Sequence, residues 1–331
     1  KCVEKGVQIG IVVGGGNFWR GLKDGGDRME RTRADHMGML ATCINALAVA
    51  DCLEQRGVAV RVLGDLSVLP EDIRARLEKL RRGETVFIFK SNLSCPRVLE
   101  IAASCGFDCL WVCGEHVAND PAVLESQVLA ARSCGADLMV RVPRGSYSDL
   151  VKPLELDAAG IMVPHVMSKQ DAEAVARQVR FHPLGRRAID GGNRDGGYCL
   201  ADFGEYIRFV NRNRFVTVQI EDAEALEELD GICSVPGIDI VFFGPGDFSQ
   251  SIGKPGECNA PEVAAARKRV AAAALRHGKF AGTVGSPSRV RELQQEGFRF
   301  INLGADVLGL GSYCRELLAK ANIPNPKEEI S

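Results

Sequence analysis

A chain of 331 residues, 46% hydrophobic and 25% charged, has enough apolar material for a large core and an ordinary globular composition. Its formal net charge of -2 argues against nucleic acid or an anionic membrane surface as a partner, and no apolar run reaches the roughly 18 residues of a membrane span. Its cysteines form no CxxC pair or zinc spacing, and Cys43, Cys52, Cys105 and Cys109 sit in apolar stretches, so a reducing cytoplasm is expected rather than a disulfide framework.

In chain order, residues 9–13 read as a short apolar strand running into Gly14-Gly15-Gly16-Asn17, with Arg20 just beyond. Glycine amides after a strand can approach a phosphate that an arginine clamps, and a plain tight turn is the competing reading. A helix over 34–56, with Met37, Leu40, Ile44, Leu47 and Leu53 on one side, ends at Gly57 before a second strand at 58–63. The strings GIVVGGGNFWRG and DRMERTRADHMGMLATCINALAVADCLEQRGV resemble bacterial uridylate kinase, of the amino-acid-kinase fold, over residues 6–63. The resemblance implies that Gly15, Gly16 and Arg20 hold a UMP phosphate and that Asp35 contacts the ribose. That family's lysine-bearing first strand and its ATP-binding half have no counterpart here, and phosphoryl transfer needs both phosphates positioned together. Residues 1–65 are therefore expected to be a small α/β fragment of kinase type, with a vestigial nucleotide site and no kinase activity. The start at Lys1, with no leader pattern, fits a processed or truncated beginning.

Residues 66–331 read differently. After a helix at 71–82, strand-like segments recur at 85–89, 107–112, 137–142, 160–166, 215–221, 238–244, 279–284 and 299–304. Helical segments alternate with them at 96–103, 121–134, 148–156, 169–179, 202–211, 223–229, 261–277, 288–296 and 309–321. Strands that are apolar throughout are what a parallel sheet covered by helices requires, and the alternation predicts a (β/α)8 TIM barrel. The glycine-rich Gly191–Gly197 string falls in an insert at 180–200, not between a strand and a helix, so it reads as a loop and not as a dinucleotide fingerprint.

A barrel would gather the C-terminal strand ends at one mouth. Glu221 closes FVTVQIE and Asp247 follows IVFFGPGD, so two carboxylates at neighbouring strand ends can hold one hard divalent ion. A helix-start acid for Glu221 and an N-cap for Asp247 are the structural alternatives. Arg141 ends DLMVRV, where a cation needs an anionic partner. His116 stands just beyond a strand end, unlike His36, His182 and His277, and suits proton transfer; His165 lies further along the strand string GIMVPHV. Asp157 precedes that string and could orient a histidine only if its loop folds over the mouth. The turn Gly244–Ser249 offers amide groups for a carboxylate. Lys90 is the one lysine placed to form an imine. A metal-chelated 2-oxo acid, with an arginine on its enolate oxygen and a histidine moving a proton, meets these requirements.

The strings FDCLWVCGEH, LMVRVP, GIMVPHV, VTVQIED and IDIVFFGPGDFS resemble the HpcH/HpaI aldolase family over residues 71–320. The resemblance implies a class II pyruvate aldolase acting on 4-hydroxy-2-oxo acids, with aldehydes as the second partner. It implies Glu221 and Asp247 as ligands of magnesium or manganese (cobalt also fitting) and Arg141 on the keto oxygen. His116 would be the base, assisted by Asp157. Gln219 would lie at or near the metal, and Gly246, Asp247 and Ser249 would take the substrate carboxylate. It further implies a homo-oligomer, a hexamer with a swapped C-terminal helix. The family often carries Asp where this chain has Cys113, which predicts weaker metal affinity or lower activity. Arg186 and Arg187 of the insert are candidates for a distal anion or a subunit contact. An acyl-CoA lyase of citrate-lyase type and a non-catalytic fusion are the alternatives.

Overall fold

The protein is described here from a computed structural model, covering Ile11, Val13, residues 44–46 and 48–56, Val58 and residues 74–321. The chain divides into two compact units, Lys1–Val68 and Leu69–Ser331. In the first, residues 44–46 and 48–54 are helical, within the span expected for a helix. Gly15, Gly16, Arg20 and Asp35 lie outside the described residues, as does any test of the kinase-like reading.

The second unit is a closed barrel in which β1 to β8 follow one another around the ring and every neighbouring pair is parallel. After helix α1 (Arg74–Arg81), the first half runs β1 (Val86–Ser91), α2 (Pro96–Ser104), β2 (Cys109–Cys113), α3 (Pro121–Ser133), β3 (Asp137–Arg141), α4 (Tyr147–Glu155), β4 (Gly160–Val163) and α5 (Lys169–Val179). The second half runs α6 (Phe203–Asn213), β5 (Phe215–Ile220), α7 (Leu229–Ser234), β6 (Ile240–Phe243), α8 (Pro245–Ser251), α9 (Pro261–Arg276), β7 (Phe280–Val284), α10 (Val290–Gln295), β8 (Phe298–Ala305) and α11 (Asp306–Lys320). The expected TIM barrel is therefore present.

Alternate residues of each strand serve two cores. Outward-facing Leu110, Val112, Val140, Ile161, Val218 and Phe243 pack under the helices, while Ile88, Trp111, Met139, Met162, Phe215, Phe242 and Phe300 fill the interior. Inside, Trp111 meets Phe242 edge-on at 5.6 Å and Phe215 meets Phe300 at 5.7 Å, contacts worth about 0.5–1.5 kcal/mol each beyond their buried area. The seam between β8 and β1 is stitched by Asp306, whose carboxylate accepts from Ser91 Oγ at 2.7 Å and from the amides of Asn92 and Leu93 at 2.9 and 3.0 Å.

Three local differences from expectation have physical causes. Strand β4 stops at Val163 because Pro164 donates no hydrogen bond and His165 takes a left-handed φ of 52°. The expected helix after β5 is a 3-10 turn (Ala223–Leu226), and α7 follows separately. The glycine-bearing turn after β6 is the start of helix α8, with Gly244 at its N-cap and Pro245 at its first position.

The insert between α5 and α6 carries a buried ion network. Asp195 accepts from Arg187 Nη2 at 2.9 Å, Arg214 Nε at 2.9 Å and the Tyr206 hydroxyl at 3.0 Å. All four residues are buried. Asp195→Ala would strand Arg187 in the interior, leave Arg214 with Asp157 alone, and should cost about 3–5 kcal/mol, read from urea unfolding; a loss below about 1 kcal/mol would contradict this account.

Candidate active site

Several strands are tied to a neighbour just past their C-terminal ends, which sets the loops of the mouth. Gly114 N donates to Arg141 O at 2.7 Å, Val166 N to Gln219 O at 3.2 Å, and Gly244 N to Ile220 O at 3.0 Å. Glu221 and Asp247 follow adjacent strands β5 and β6, as the sequence predicted. Glu221 is buried, 1% exposed, and accepts from the His165 amide at 3.0 Å and from Gln219 Nε2. A Cβ on Gly244 would come within 2.8 Å of Gln219 Nε2 and 2.9 Å of Glu221 Oε2, so any larger residue there would push those two side chains from their present positions.

Burial pushes the Glu221 carboxyl up to about 7, and the negative charge of Asp247 adds to the rise, against the His165 amide, the His165 ring and Arg141. Among the described residues no lysine or arginine pairs with Glu221, and no group of three or more His, Cys, Asp or Glu converges on one point. A carboxylate pair short of positive charge, beside a buried and unpartnered Gln219 Oε1, suits one hard divalent ion with its remaining positions open to water and substrate. In α8 the first amide to find an acceptor in its own turn is that of Phe248, to Gly244 O at 3.1 Å, so those of Gly246 and Asp247 precede the helical ladder.

Across the mouth, Arg141 Nε lies 3.0 Å from Glu115 Oε2, and His116 Nε2 lies 3.3 Å from the same oxygen. Glu115 thus joins the predicted cation to the predicted base, a link that the string CGEH contained but that sequence reasoning did not assign. Arg141 is buried and the His116 side chain is 63% exposed. The Cys113 sulfur lies 3.2 Å from Arg141 Nη2 and accepts the His116 amide at 3.3 Å, in the place where the family often carries a carboxylate.

His165 is a further addition. Its Nδ1 is 2.9 Å from Asp222 Oδ2. Burial works against its charge, but the Asp222 hydrogen bond and the nearby Glu221 charge outweigh it, and its pKa is raised. Its signal in the sequence was its place immediately beyond the last apolar residues of a strand.

Two expected contributors lie elsewhere. Asp157 sits between α4 and the first residue of β4, at the barrel end opposite the mouth, where its buried carboxylate pairs with Arg214, Arg132 and Arg194. Within one chain it does not assist His116; those three cations meet its charge instead. Arg187 is likewise buried against Asp195 and does not present a charge to a distal anion, whereas Arg186 is exposed. Ser249 does lie by the mouth, but its hydroxyl donates to Gly246 O at 2.6 Å and accepts the Gly256 amide at 3.1 Å, so it shapes the loop.

A family model described as HpcH/HpaI aldolase/citrate lyase matches residues 86–310. The chain belongs to the HpcH/HpaI aldolase/citrate lyase family. Its relatives include a hydroxypyruvate/pyruvate aldolase of Pseudomonas aeruginosa, 32% identical over 263 residues, covering 77% of this chain and 96% of that protein. A 2-keto-3-deoxy-L-rhamnonate aldolase of Shigella sonnei is 31% identical over 236 residues, covering 70% and 86%. Among solved structures, an HpcH/HpaI aldolase from Desulfitobacterium hafniense DCB-2 superposes with a TM-score of 0.71 at 27% identity, covering 75% and 97%. The citrate synthase SbnG does so with a TM-score of 0.70 at 25% identity, covering 76% and 98%. Family and fold together support aldolase or lyase chemistry on 2-oxo acids in this chain, and among its described residues no helix is long and apolar enough to cross a membrane.

The raised Glu221 carboxyl has a thermodynamic consequence. From its ordinary value of 4.5 to about 7, the folded metal-free protein holds a proton there that the unfolded chain has released. Its contribution to stability is therefore complete at low pH and lost as pH rises through that window. In chelator-treated protein, Tm should fall between about pH 5 and pH 8, and Glu221→Gln should shrink that fall; the same pH dependence in both proteins would contradict the assignment.

Proposed function

We propose that the chain is a divalent-metal-dependent aldolase that cleaves or forms 4-hydroxy-2-oxo acids through a pyruvate enolate. The observation that carries this reading is the Glu221–Asp247 pair, two carboxylates at adjacent strand ends with no lysine or arginine on Glu221 among the described residues. Magnesium or manganese fits that hard oxygen set, with cobalt as a substitute. When bound, the ion supplies Lewis-acid stabilisation of the charge that develops on the substrate's keto oxygen.

The chain's own groups do the rest. Arg141, oriented by Glu115 at 3.0 Å, faces the oxygen that gains charge as the enolate forms. His116 takes the proton of the 4-hydroxyl as the C3–C4 bond breaks, releasing the aldehyde and leaving the electron pair in the enolate. A proton delivered to C3 then yields pyruvate. The amides of Gly246 and Asp247 hold the carboxylate, and Gln219 orients Glu221 through its side-chain amide.

Helix α11 supports the homo-oligomer in this reading. Val307, Leu308, Leu310, Tyr313, Leu317 and Leu318 are all exposed on it, and Asp306 is its one buried residue. A helix so apolar and so uncovered fits a subunit contact, as in the hexamers implied by the family resemblance.

Pyruvate release from a panel of 4-hydroxy-2-oxo acids should require magnesium, manganese or cobalt and should fall roughly 100-fold or more in Glu221→Ala. Release that survives both chelation and that substitution would overturn the proposal.

A further inference from the structure

His165 holds a left-handed φ of 52° without being glycine. A side chain in that conformation crowds the following carbonyl, so it persists only where neighbouring groups hold it. They hold it at both ends of the residue. Its amide donates to Glu221 Oε1 at 3.0 Å, and the next amide, Val166 N, donates to Gln219 O at 3.2 Å. Its carbonyl accepts from Arg144 Nη1. Arg144 comes from the loop between β3 and α4, and its other arm, Nη2, lies 3.1 Å from Asp171 Oδ1 in the first turn of α5. Asp171 also accepts the Met167 amide at 3.1 Å, and its own amide donates to Ser168 Oγ at 3.1 Å. A chain of bonds therefore runs from Asp171 through Arg144 and the His165 main chain to Glu221. The Arg144 side chain is 40% exposed, where an ion pair alone contributes little. Its planar fork does more, because it fixes a main-chain carbonyl against the start of a helix.

The rotation φ at His165 turns about the bond from its amide nitrogen to its Cα. With Val166 N held on Gln219 O, a return of φ to the ordinary negative range has to swing the His165 amide away from Glu221. Oε1 of that buried carboxylate would lose its donor, while Oε2 keeps the Gln219 amide. A metal ligand has to be held to within about 0.5 Å, and its hydrogen-bond partners do the holding.

We propose that Arg144, through Asp171 and the His165 carbonyl, is a positioning residue for Glu221: it latches the left-handed turn whose amide aims the carboxylate at the ion. The inference rests on the aldolase reading for the ion alone, since the latch belongs to the metal-free chain. Charge argues in the opposite direction. Removing a cation from the neighbourhood of a divalent ion strengthens binding by Coulomb repulsion relieved, whereas removing the latch weakens it.

Two readouts on the full chain test the latch: manganese affinity by calorimetry, and hydrogen exchange over residues 163–168 in metal-free protein. Arg144→Ala should bind manganese about tenfold more weakly and exchange that segment about tenfold faster. Arg144→Lys keeps the charge but loses the fork, and should behave like Arg144→Ala. In the Arg144→Ala background, His165→Gly should recover most of the affinity, because glycine holds a positive φ without help, and His165→Ala should recover none. Both substitutions remove the imidazole, so the difference between them reads the backbone alone. Affinity unchanged or raised in Arg144→Ala, or equal recovery by glycine and alanine, would overturn the latch. A wild type that binds no manganese would sink the metal reading of Glu221; exchange faster in Arg144→Ala would still uphold the latch, and unchanged exchange would end both.

Discussion

The mouth of this barrel is organised around a buried carboxylate that, among the described residues, no lysine or arginine pairs with. Removing Glu221 from water disfavours its charge, and Asp247 on the next strand adds repulsion. The His165 amide and the Gln219 side chain are neutral donors that orient its oxygens, and the His165 ring, 3.7 Å away, meets part of the charge only when protonated. The opposite end of the barrel follows another rule. There Asp108 meets Lys79 at 2.8 Å, Asp239 meets Arg180, and Asp157 meets Arg214, so the acids are closed off in ion pairs. Paired acids hold strands and helices together, while Glu221, with no lysine or arginine on it among the described residues, leaves room for chemistry.

That contrast follows from topology. All eight strands are parallel, so the residues before each strand gather at one end and those after it at the other. The two sets can then diverge. The closed end carries packing and charge neutralisation. The open end carries the Glu221–Asp247 pair, the Arg141–Glu115–His116 chain and the cations of Lys90 and Arg141 on Trp111. The ties from Gly114, Val166 and Gly244 to neighbouring strands hold these groups in place on a frame whose interior is filled with aromatic rings.

The barrel was legible in the sequence because its strands are apolar throughout and spaced by amphipathic helices. Glu221, Asp247 and Arg141 were legible for a related reason, each lying at or just past an apolar run that had to be a strand end. Asp157 shows the limit of that reading. It precedes GIMVPHV, which places it at the far end, and only a loop folded over the mouth could have brought it to His116; the structure gives its charge to Arg214, Arg132 and Arg194. Glu115 and His165 were hidden because their roles depend on side-chain direction and on the backbone turn at His165. The fate of Arg187 depended on a partner, Asp195, in a glycine-rich stretch whose fold no periodicity announces.

The central claim is that Glu221 and Asp247 together hold a divalent ion. Its most direct test is manganese binding, followed by calorimetry and by electron paramagnetic resonance, in wild type, Glu221→Gln and Asp247→Asn. The account predicts one ion per wild-type chain, affinity that rises as pH passes through about 7 and Glu221 gives up its proton, and a loss of about tenfold or more in each variant. Manganese that binds all three proteins alike, or none of them, would contradict it.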